Sequence, residues 1–407
     1  MVIGGSYGGL AATVNLLDLC HGRPAARLSE DMIPEPGSRK GVPIQITIVD
    51  ERDGYYHLIG SPLALASEEY APKAWKRFQD IPALNRSEVR YIQGSVVQVN
   101  CERKIATIAG TGTATNIRYD ESYDYLVASS GLRRAWPVVP QSLERKEYLS
   151  ETRKHIDKVK YAREAIVVIG GGAVGIEMAA ELKLVQPKHS VRLIHSGRQL
   201  LSSEPLPDDF KAHTLSVLQE SGVEVILGQR VIGTTNVKTS DDTLFYELTL
   251  SDGSQILAGQ VIKAVSRSVP SSSYLPTSTL DKEGYIIIDP SLNMTGDLPN
   301  SKYHFAVGDI VAWSGIRRCG AAMHMGYYAA MNIYQQILSH AFGIIPKFME
   351  LQEIPPMIGL AVGKKAVCYS PTSGTSSGED LMELMFGDDL GYSICWNHLQ
   401  LSENSHV

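Results

Sequence analysis

Two glycine-rich loops are the first residues in this chain whose types and spacing imply chemistry. The chain opens Met1-Val2-Ile3-Gly4-Gly5-Ser6-Tyr7-Gly8-Gly9-Leu10. Residues 166–175 read Ile166-Val167-Val168-Ile169-Gly170-Gly171-Gly172-Ala173-Val174-Gly175. In both, an apolar strand runs into a tight turn and then into an Ala- and Leu-rich helix. Such a turn lets backbone N–H groups and the positive end of the helix dipole receive a pyrophosphate. The second loop has glycine at all three fingerprint positions, Gly170, Gly172 and Gly175. In the first, Ser6 takes the middle place between Gly4 and Gly9 and is small enough to keep the close approach. Two fingerprints 166 residues apart predict two bound dinucleotides.

The strands that follow the loops sharpen this. Ile44–Val49 ends in Asp50-Glu51, and an acid there can accept hydrogen bonds from a dinucleotide ribose. The spacing from Gly9 to Asp50 is about twice the usual ~20 residues, and the Gly-, Pro-, Arg- and Ser-rich stretch 21–42 reads as a surface insertion that supplies the excess. Val191–Ile194 ends in His195, 20 residues after Gly175, with Arg198 close behind. No acid stands at the ribose position, and Arg198 can meet a 2′-phosphate. The expectation is NADPH over NADH.

The elements that position these loops must come from a large globular chain. The 407 residues suit two or three domains, and 43% hydrophobic with 20% charged residues excludes a disordered or collagenous protein. The net charge of −6 and the absence of basic clusters beyond pairs such as Arg317-Arg318 and Lys364-Lys365 argue against nucleic acid as a partner. Five cysteines (Cys20, Cys101, Cys319, Cys368, Cys395) are scattered, which excludes a locally spaced CxxC pair or zinc knuckle and implies a reducing compartment. No metal site is expected. No apolar run approaches the ~20 residues of a spanning helix, and a glycine loop starting at Gly4 carries the expectation of no signal or transit peptide. The expected location is cytoplasmic.

With both fingerprints in place, the chain resembles the flavin-dependent pyridine nucleotide oxidoreductases. Within them it resembles the apoptosis-inducing-factor-like and ferroptosis-suppressor-like (AMID-like) branch in its fungal form. The resemblance covers nearly the whole chain. It rests on Tyr123-Asp124-Tyr125-Leu126-Val127-Ala128-Ser129-Ser130-Gly131, on His304-Phe305-Ala306-Val307-Gly308-Asp309 and on Gly320-Ala321-Ala322-Met323-His324-Met325-Gly326. It also takes in Asp53–Leu63, Ile358–Gly363 and Phe386–Gly391. The resemblance implies an α/β fold of two Rossmann-like dinucleotide-binding domains (three-layer ββα type) with a smaller α/β C-terminal domain. It places an FAD domain in two pieces, 1–150 and 280–342, around an NAD(P)H domain at 160–270, with the C-terminal domain at 345–407. For FAD it implies Gly4, Gly5, Ser6, Tyr7, Gly8, Gly9, Asp50, Glu51, Val96, Ser130, Gly131, Gly308, Asp309, Ala322 and Met323, with Asp309 on the ribityl chain. For NAD(P)H it implies Gly170, Gly172, Ala173, Val174, Gly175, Glu177, His195, Arg198 and Ser266. The helix start near Gly320 is expected to aim at the flavin ring, where its dipole stabilises negative charge.

Three departures matter. The segment after Asp53 holds none of the paired cysteines of the disulfide reductases, so the expectation is that electrons leave the flavin directly. Ala264-Val265-Ser266-Arg267 has serine where the family crossing ends in glycine, which would crowd the dinucleotide. The first strand, Val2-Ile3, is shorter than the mean of ~5–6 residues, which implies a later start or a trimmed strand and weaker FAD binding.

Tyr55, Tyr56 and His57 are candidates to face the flavin, against an aromatic packing corner; His324 is a candidate proton donor, against a capping or packing role. Ser142–Arg163 and Ser266–Ser278 read as domain boundaries and Pro371–Gly378 as a loop. Strand signals at Val223–Leu227, Leu244–Leu250 and Gln255–Val265 suit a β-meander joined to a doubly wound sheet. Leu381–Phe386, with Trp396, reads as core rather than as a membrane or quinone surface.

The function that follows is an FAD-dependent oxidoreductase passing hydride from NADPH or NADH to flavin and on to a quinone, another small aromatic acceptor or oxygen. The alternative is a flavoprotein of a fungal secondary-metabolite pathway that oxidises or cyclises an intermediate with little NAD(P)H use. A third reading, a cell-death signalling protein that binds DNA, conflicts with the negative charge. A homodimer is compatible with all three.

Overall fold

The computed structural model describes residues 1–24, 41–112, 117–238, 244–265 and 267–402. The eight α-helices among them are α1 (Tyr7–Cys20), α2 (Ser61–Ala66), α3 (Arg145–Lys160), α4 (Ala173–Val185), α5 (Asp208–Glu220), α6 (Cys319–Phe342), α7 (Glu379–Met385) and α8 (Tyr392–His398). The mixed α/β fold is built on two parallel sheets.

The first sheet has the strand order His304–Ala306, Leu126–Ala128, Val2–Ile3, Ile46–Asp50, Val89–Asn100, Ile105–Gly110, Arg118–Ser122. The first five strands are parallel, and the last two turn antiparallel. Val2–Ile3 is short, but it lies at the centre, paired to Ile48-Val49 on one side and Val127-Ala128 on the other. Its order reverses there, and ligand crevices form at the carboxyl ends of strands beside such a reversal. Helix α1 is buried at all of its positions because α6 crosses it without room for side chains: a Cβ on Gly326 would stand 2.2 Å from the Gly8 carbonyl oxygen. The sheet draws on two stretches of chain separated by the second sheet.

The second sheet is parallel throughout, in the order Glu224–Leu227, Val191–His195, Ile166–Ile169, Gln260–Lys263. Here the sequence reading needs two corrections. Gln255–Val265 is not one strand: it breaks at Gly259, where a Cβ would lie 2.9 Å from the Glu164 nitrogen. Gln255–Ala258 then joins an antiparallel meander with Val231–Lys238 and Leu244–Leu250, while Gln260–Lys263 enters the parallel sheet. The charged stretch read as a boundary contains α3, whose Tyr148, Thr152, His155, Ile156 and Val159 are buried at helical spacing. Its charges form the outer face of an amphipathic helix.

At the C-terminal end, Ile358–Val362, Lys365–Ser370 and Gly374–Gly378 form an antiparallel sheet with α7 and α8 packed nearby. The loop expected at Pro371–Gly378 thus becomes a strand over its second half. The apolar run at Leu381–Phe386 is core in part: Phe386 is buried with Leu381 and Met382 packed against its cluster, and Trp396 packs against the main core, while Leu384 is 73% exposed. The expected insertion at 21–42 lies outside the described residues over 25–40. No helix among the described residues is long and apolar enough to cross a membrane.

Candidate functional site

The first glycine loop sits at the carboxyl end of Val2–Ile3. Gly4 has φ +100°, and a Cβ there would stand 2.5 Å from the Ser129 carbonyl oxygen, so only glycine fits. A Cβ on Gly9 would lie 1.9 Å from the Gly4 carbonyl oxygen, which brings α1 hard against the turn. The Gly5 N–H donates to Asp50 Oδ2 at 2.7 Å and the Arg52 N–H to Asp50 Oδ1 at 2.9 Å. Burial pushes the Asp50 carboxyl above its ordinary value, against these donors and the Arg52 charge. Glu51 turns away to Ser95 and Arg133, and Val96 is buried beside a bulge in Val89–Asn100.

The second loop repeats this geometry. Gly170 has φ +120°, and a Cβ on Gly175 would again stand 1.9 Å from the carbonyl oxygen of the loop's first glycine. The Gly171 N–H donates to His195 Nδ1 at 3.1 Å, and His195 Nε2 donates to Ser202 Oγ at 3.0 Å. Burial holds His195 below its ordinary value, so the ring is neutral and can accept. Ala173 and Val174 open α4, and Arg198 is exposed. Ser266 lies outside the described residues.

Around the first crevice, Ser129 Oγ donates to the carbonyls of Ile3 and Gly4, and Ser130 Oγ donates to the Ser271 carbonyl. Gly308 has φ +82°, a Cβ there would lie 3.4 Å from Ala322 Cβ, and its N–H donates to Met325 Sδ. Ala322 and Met323 are buried on the first turns of α6. The Asp309 carboxylate is paired with Arg134 at 3.2 Å, a partner the sequence did not announce.

Tyr56 and His57 are adjacent and part company. Tyr56 faces Trp75 and Tyr148, with its hydroxyl on Ser61. His57 is fully buried; its Nε2–H donates to the Leu390 carbonyl at 2.9 Å, which leaves Nδ1 to accept from the hydroxyls of Tyr7 and Tyr55 at 3.2 and 3.1 Å. Burial lowers its pKa to about 4, so His57 is a neutral acceptor that fixes Tyr7 at the start of α1. His324 is exposed on α6, its ring 4.3 Å from that of Tyr328. Glu177 accepts the Ala361 N–H at 3.1 Å, and burial pushes its carboxyl up to about 8.

Sequence spacing missed the residues that join these parts. Cys319, the first residue of α6, is partly exposed and Cys395 on α8 is buried, and both belong to the core that holds Tyr7. No local motif links positions 319 and 395. Arg318 precedes α6 and lines a small cleft with Gly308, Asp309 and Ala322. Another cleft, of about 700 Å³, runs along α3 beside Trp136 and His155 and holds none of the expected residues.

The residues present fit two dinucleotides. α1 and α4 each start directly on a glycine-rich turn, from Ser6 and Gly172 in extended conformation, so the N–H groups of both first turns can receive a pyrophosphate. Among the described residues nothing stands within 4 Å of where a Cβ on Gly172 or Gly131 would be, and the buried Arg318 Nε has no hydrogen-bond partner.

Known proteins agree with this geometry. The profile of the pyridine nucleotide-disulphide oxidoreductase family matches residues 1–326. The chain belongs to that family. It is 56% identical over 407 residues to oxidoreductase OXR1 of Ajellomyces capsulatus, covering 99% of this chain and 88% of the relative. It is 22% identical to ferroptosis suppressor protein 1 of Mus musculus over 335 residues, 82% of this chain and 78% of that one. Among solved structures, a NAD-dependent persulfide reductase from A. fulgidus superposes with a TM-score of 0.66 at 18% identity, over 90% of this chain and 63% of that one. This chain therefore spans less than two thirds of that reductase, and the likeness concerns the fold. As a family member the protein is an oxidoreductase whose cofactors are FAD and NADH or NADPH.

Proposed function

We propose that the protein oxidises NADPH, or NADH less readily, and delivers the electrons to a quinone or another small aromatic acceptor. When bound, FAD supplies the hydride-accepting and electron-donating chemistry. The observation that carries the reading is the repeated loop: a Cβ on Gly9 or on Gly175 would stand 1.9 Å from the carbonyl oxygen of its loop's first glycine, so each turn is pressed against a helix start. A pyrophosphate on each helix start would place two dinucleotides on one chain. The loops orient the two dinucleotides, Arg318 and the α6 N-terminus favour negative charge in the cleft, and His57 holds Tyr7. Glu177 keeps a proton near neutral pH at the junction, because burial disfavours its charged form. Exposed Arg198, with no acid at the end of Val191–His195, supports the preference for a 2′-phosphate.

The test is an anaerobic visible spectrum of the purified protein, before and after NADPH and then NADH. Rapid bleaching of the flavin bands, faster with NADPH and reversed by a benzoquinone, is the expected result. Flavin that stays yellow with both nucleotides overturns it and leaves the alternative of a biosynthetic flavoprotein acting directly on a small-molecule intermediate.

A further inference from the structure

The cleft of about 700 Å³ along α3 lies where the chain passes from the first sheet to the second. Clefts of roughly 300–1,000 Å³ at such junctions commonly hold small ligands. Here α3 forms one wall, and Trp136 and Gln260, the first residue of the second sheet's edge strand, complete the lining. His155 also lines the cleft; it is 6% exposed, and its ring meets that of Trp136 edge-on at 5.5 Å. Its buried Nε2 has no hydrogen-bond partner among the described residues. Burial lowers its pKa to about 4, so the imidazole is neutral and this nitrogen has one hydrogen bond unmade. The charges of the α3 wall are sorted along the helix. Glu144, Glu147 and Glu151 come first, with Lys146 beside them, and Lys154 and Lys158 follow. Steps of three and four residues keep the three acids and the two later lysines on one stripe, where like charges four apart weaken a helix. Ser142 Oγ–H donates to Glu151 Oε2 at 2.7 Å and fixes that carboxylate at the cleft wall. The helix dipole favours acids early and bases late, but it supplies no partner for His155. From Glu151 to Lys158 the axis rises by about 10 Å, and three extended residues span the same ~10 Å.

We propose that this cleft binds a short zwitterionic peptide of about three residues, with its ammonium toward Glu147 and Glu151, its carboxylate toward Lys154 and Lys158, an aromatic side chain against Trp136 and a backbone amide on His155. The two ends of the peptide relieve the two like-charge pairs of α3. A neutral imidazole nitrogen either accepts an amide N–H or donates to a carbonyl, so the peptide backbone completes His155. The bound peptide ties α3 and Trp136 to Gln260 at the edge of the second sheet. None of these residues belongs to either glycine loop, so the inference goes beyond the reductase reading and does not rest on it.

The test is a calorimetric titration of the full chain with glycyl-tyrosyl-glycine, with no nicotinamide present. Saturable binding with a Kd of about 1 mM or tighter is expected, weakening as salt is added. Acetylating the peptide's amine or amidating its carboxylate should each weaken binding about fivefold or more. Replacing both lysines, Lys154→Glu with Lys158→Glu, should weaken the parent peptide by a similar factor and leave the amidated one nearly unchanged. His155→Phe should weaken all three peptides about tenfold. Lys154 and Lys158 are exposed, so the lysine variant decides the matter even where His155→Phe folds poorly. No saturable binding of the parent peptide, equal affinity for all three peptides, or unchanged affinity in the lysine variant overturns the proposal. Bleaching of the flavin by NADPH is recorded separately on the same protein, so failure of the reductase reading is visible on its own.

Discussion

The chain builds one backbone device twice and finishes it with different side chains. At both loops the first glycine lies in the left-handed region, and the last has 1.9 Å between a notional Cβ and that first glycine's carbonyl oxygen. At both, the N–H after the first glycine donates to the final residue of the next parallel strand. That residue is Asp50 in one loop and His195 in the other. The backbone half is common because any pyrophosphate needs the same turn and the same free helix start. The side-chain half differs because it meets the rest of the dinucleotide. A carboxylate offers lone pairs to a ribose, while a neutral imidazole already spent on Gly171 and Ser202 leaves that side of the loop without negative charge.

The sharpest way to break the symmetry is to fill the two closest approaches separately. Gly9→Ala and Gly175→Ala each force a methyl into a carbonyl, at a cost of about 3 kcal/mol or more. Gly9→Ala should yield protein that loses FAD on gel filtration, read as the ratio of visible to ultraviolet absorbance. Gly175→Ala should stay yellow but fail to bleach with either nicotinamide. If both variants lose flavin equally, the second loop has no separate role.

How far these roles were legible beforehand depends on whether they lie in local sequence. The glycine spacing, the β-branched run Ile166–Ile169 and the acid at Asp50 announced both loops, because a tight turn admits so few residue types. Val2–Ile3 was legible as a short strand, and its central place, paired on both sides, was not. Gly259 hid a strand break inside an unbroken apolar pattern, since periodicity does not say which sheet a residue joins. The tyrosine corner was visible as aromatic residues, but the opposite directions of Tyr56 and His57 were not. Least legible was the pairing of Asp309 with Arg134, which no local motif links.

The anchors come next in size. Asp50→Asn keeps one acceptor for two N–H donors, and a stranded donor costs about 1–3 kcal/mol. FAD dissociation should therefore strengthen about tenfold to a hundredfold, measured by flavin fluorescence on dilution. His195→Phe removes the acceptor from the other loop and should raise the KM for NADPH about tenfold with FAD content unchanged. Arg198→Ala should act more narrowly, costing NADPH about tenfold in kcat/KM through a lost charge-assisted contact while NADH is unaffected. Equal loss with both cofactors would place Arg198 away from the 2′-position.

The smallest effect is the most diagnostic, because the two anchors respond to acid with opposite signs. His195 is held below its ordinary 6.5, so between the lowered value and 6.5 the unfolded chain binds more protons than the folded one. Its contribution is complete above 6.5 and is lost as pH falls through the lowered value, when a proton on Nδ1 displaces the Gly171 N–H. Asp50 is held above its ordinary 3.8, so the folded chain binds the extra proton and its contribution declines as pH rises through that window. Lowering pH from about 7.5 through the lowered value of His195 should then raise the KM for NADPH without releasing FAD. In His195→Phe the same titration should be flat. A pH-dependent KM that survives in this variant would move the titrating group elsewhere, with Glu177, raised to about 8 at the junction, the first to test by Glu177→Gln.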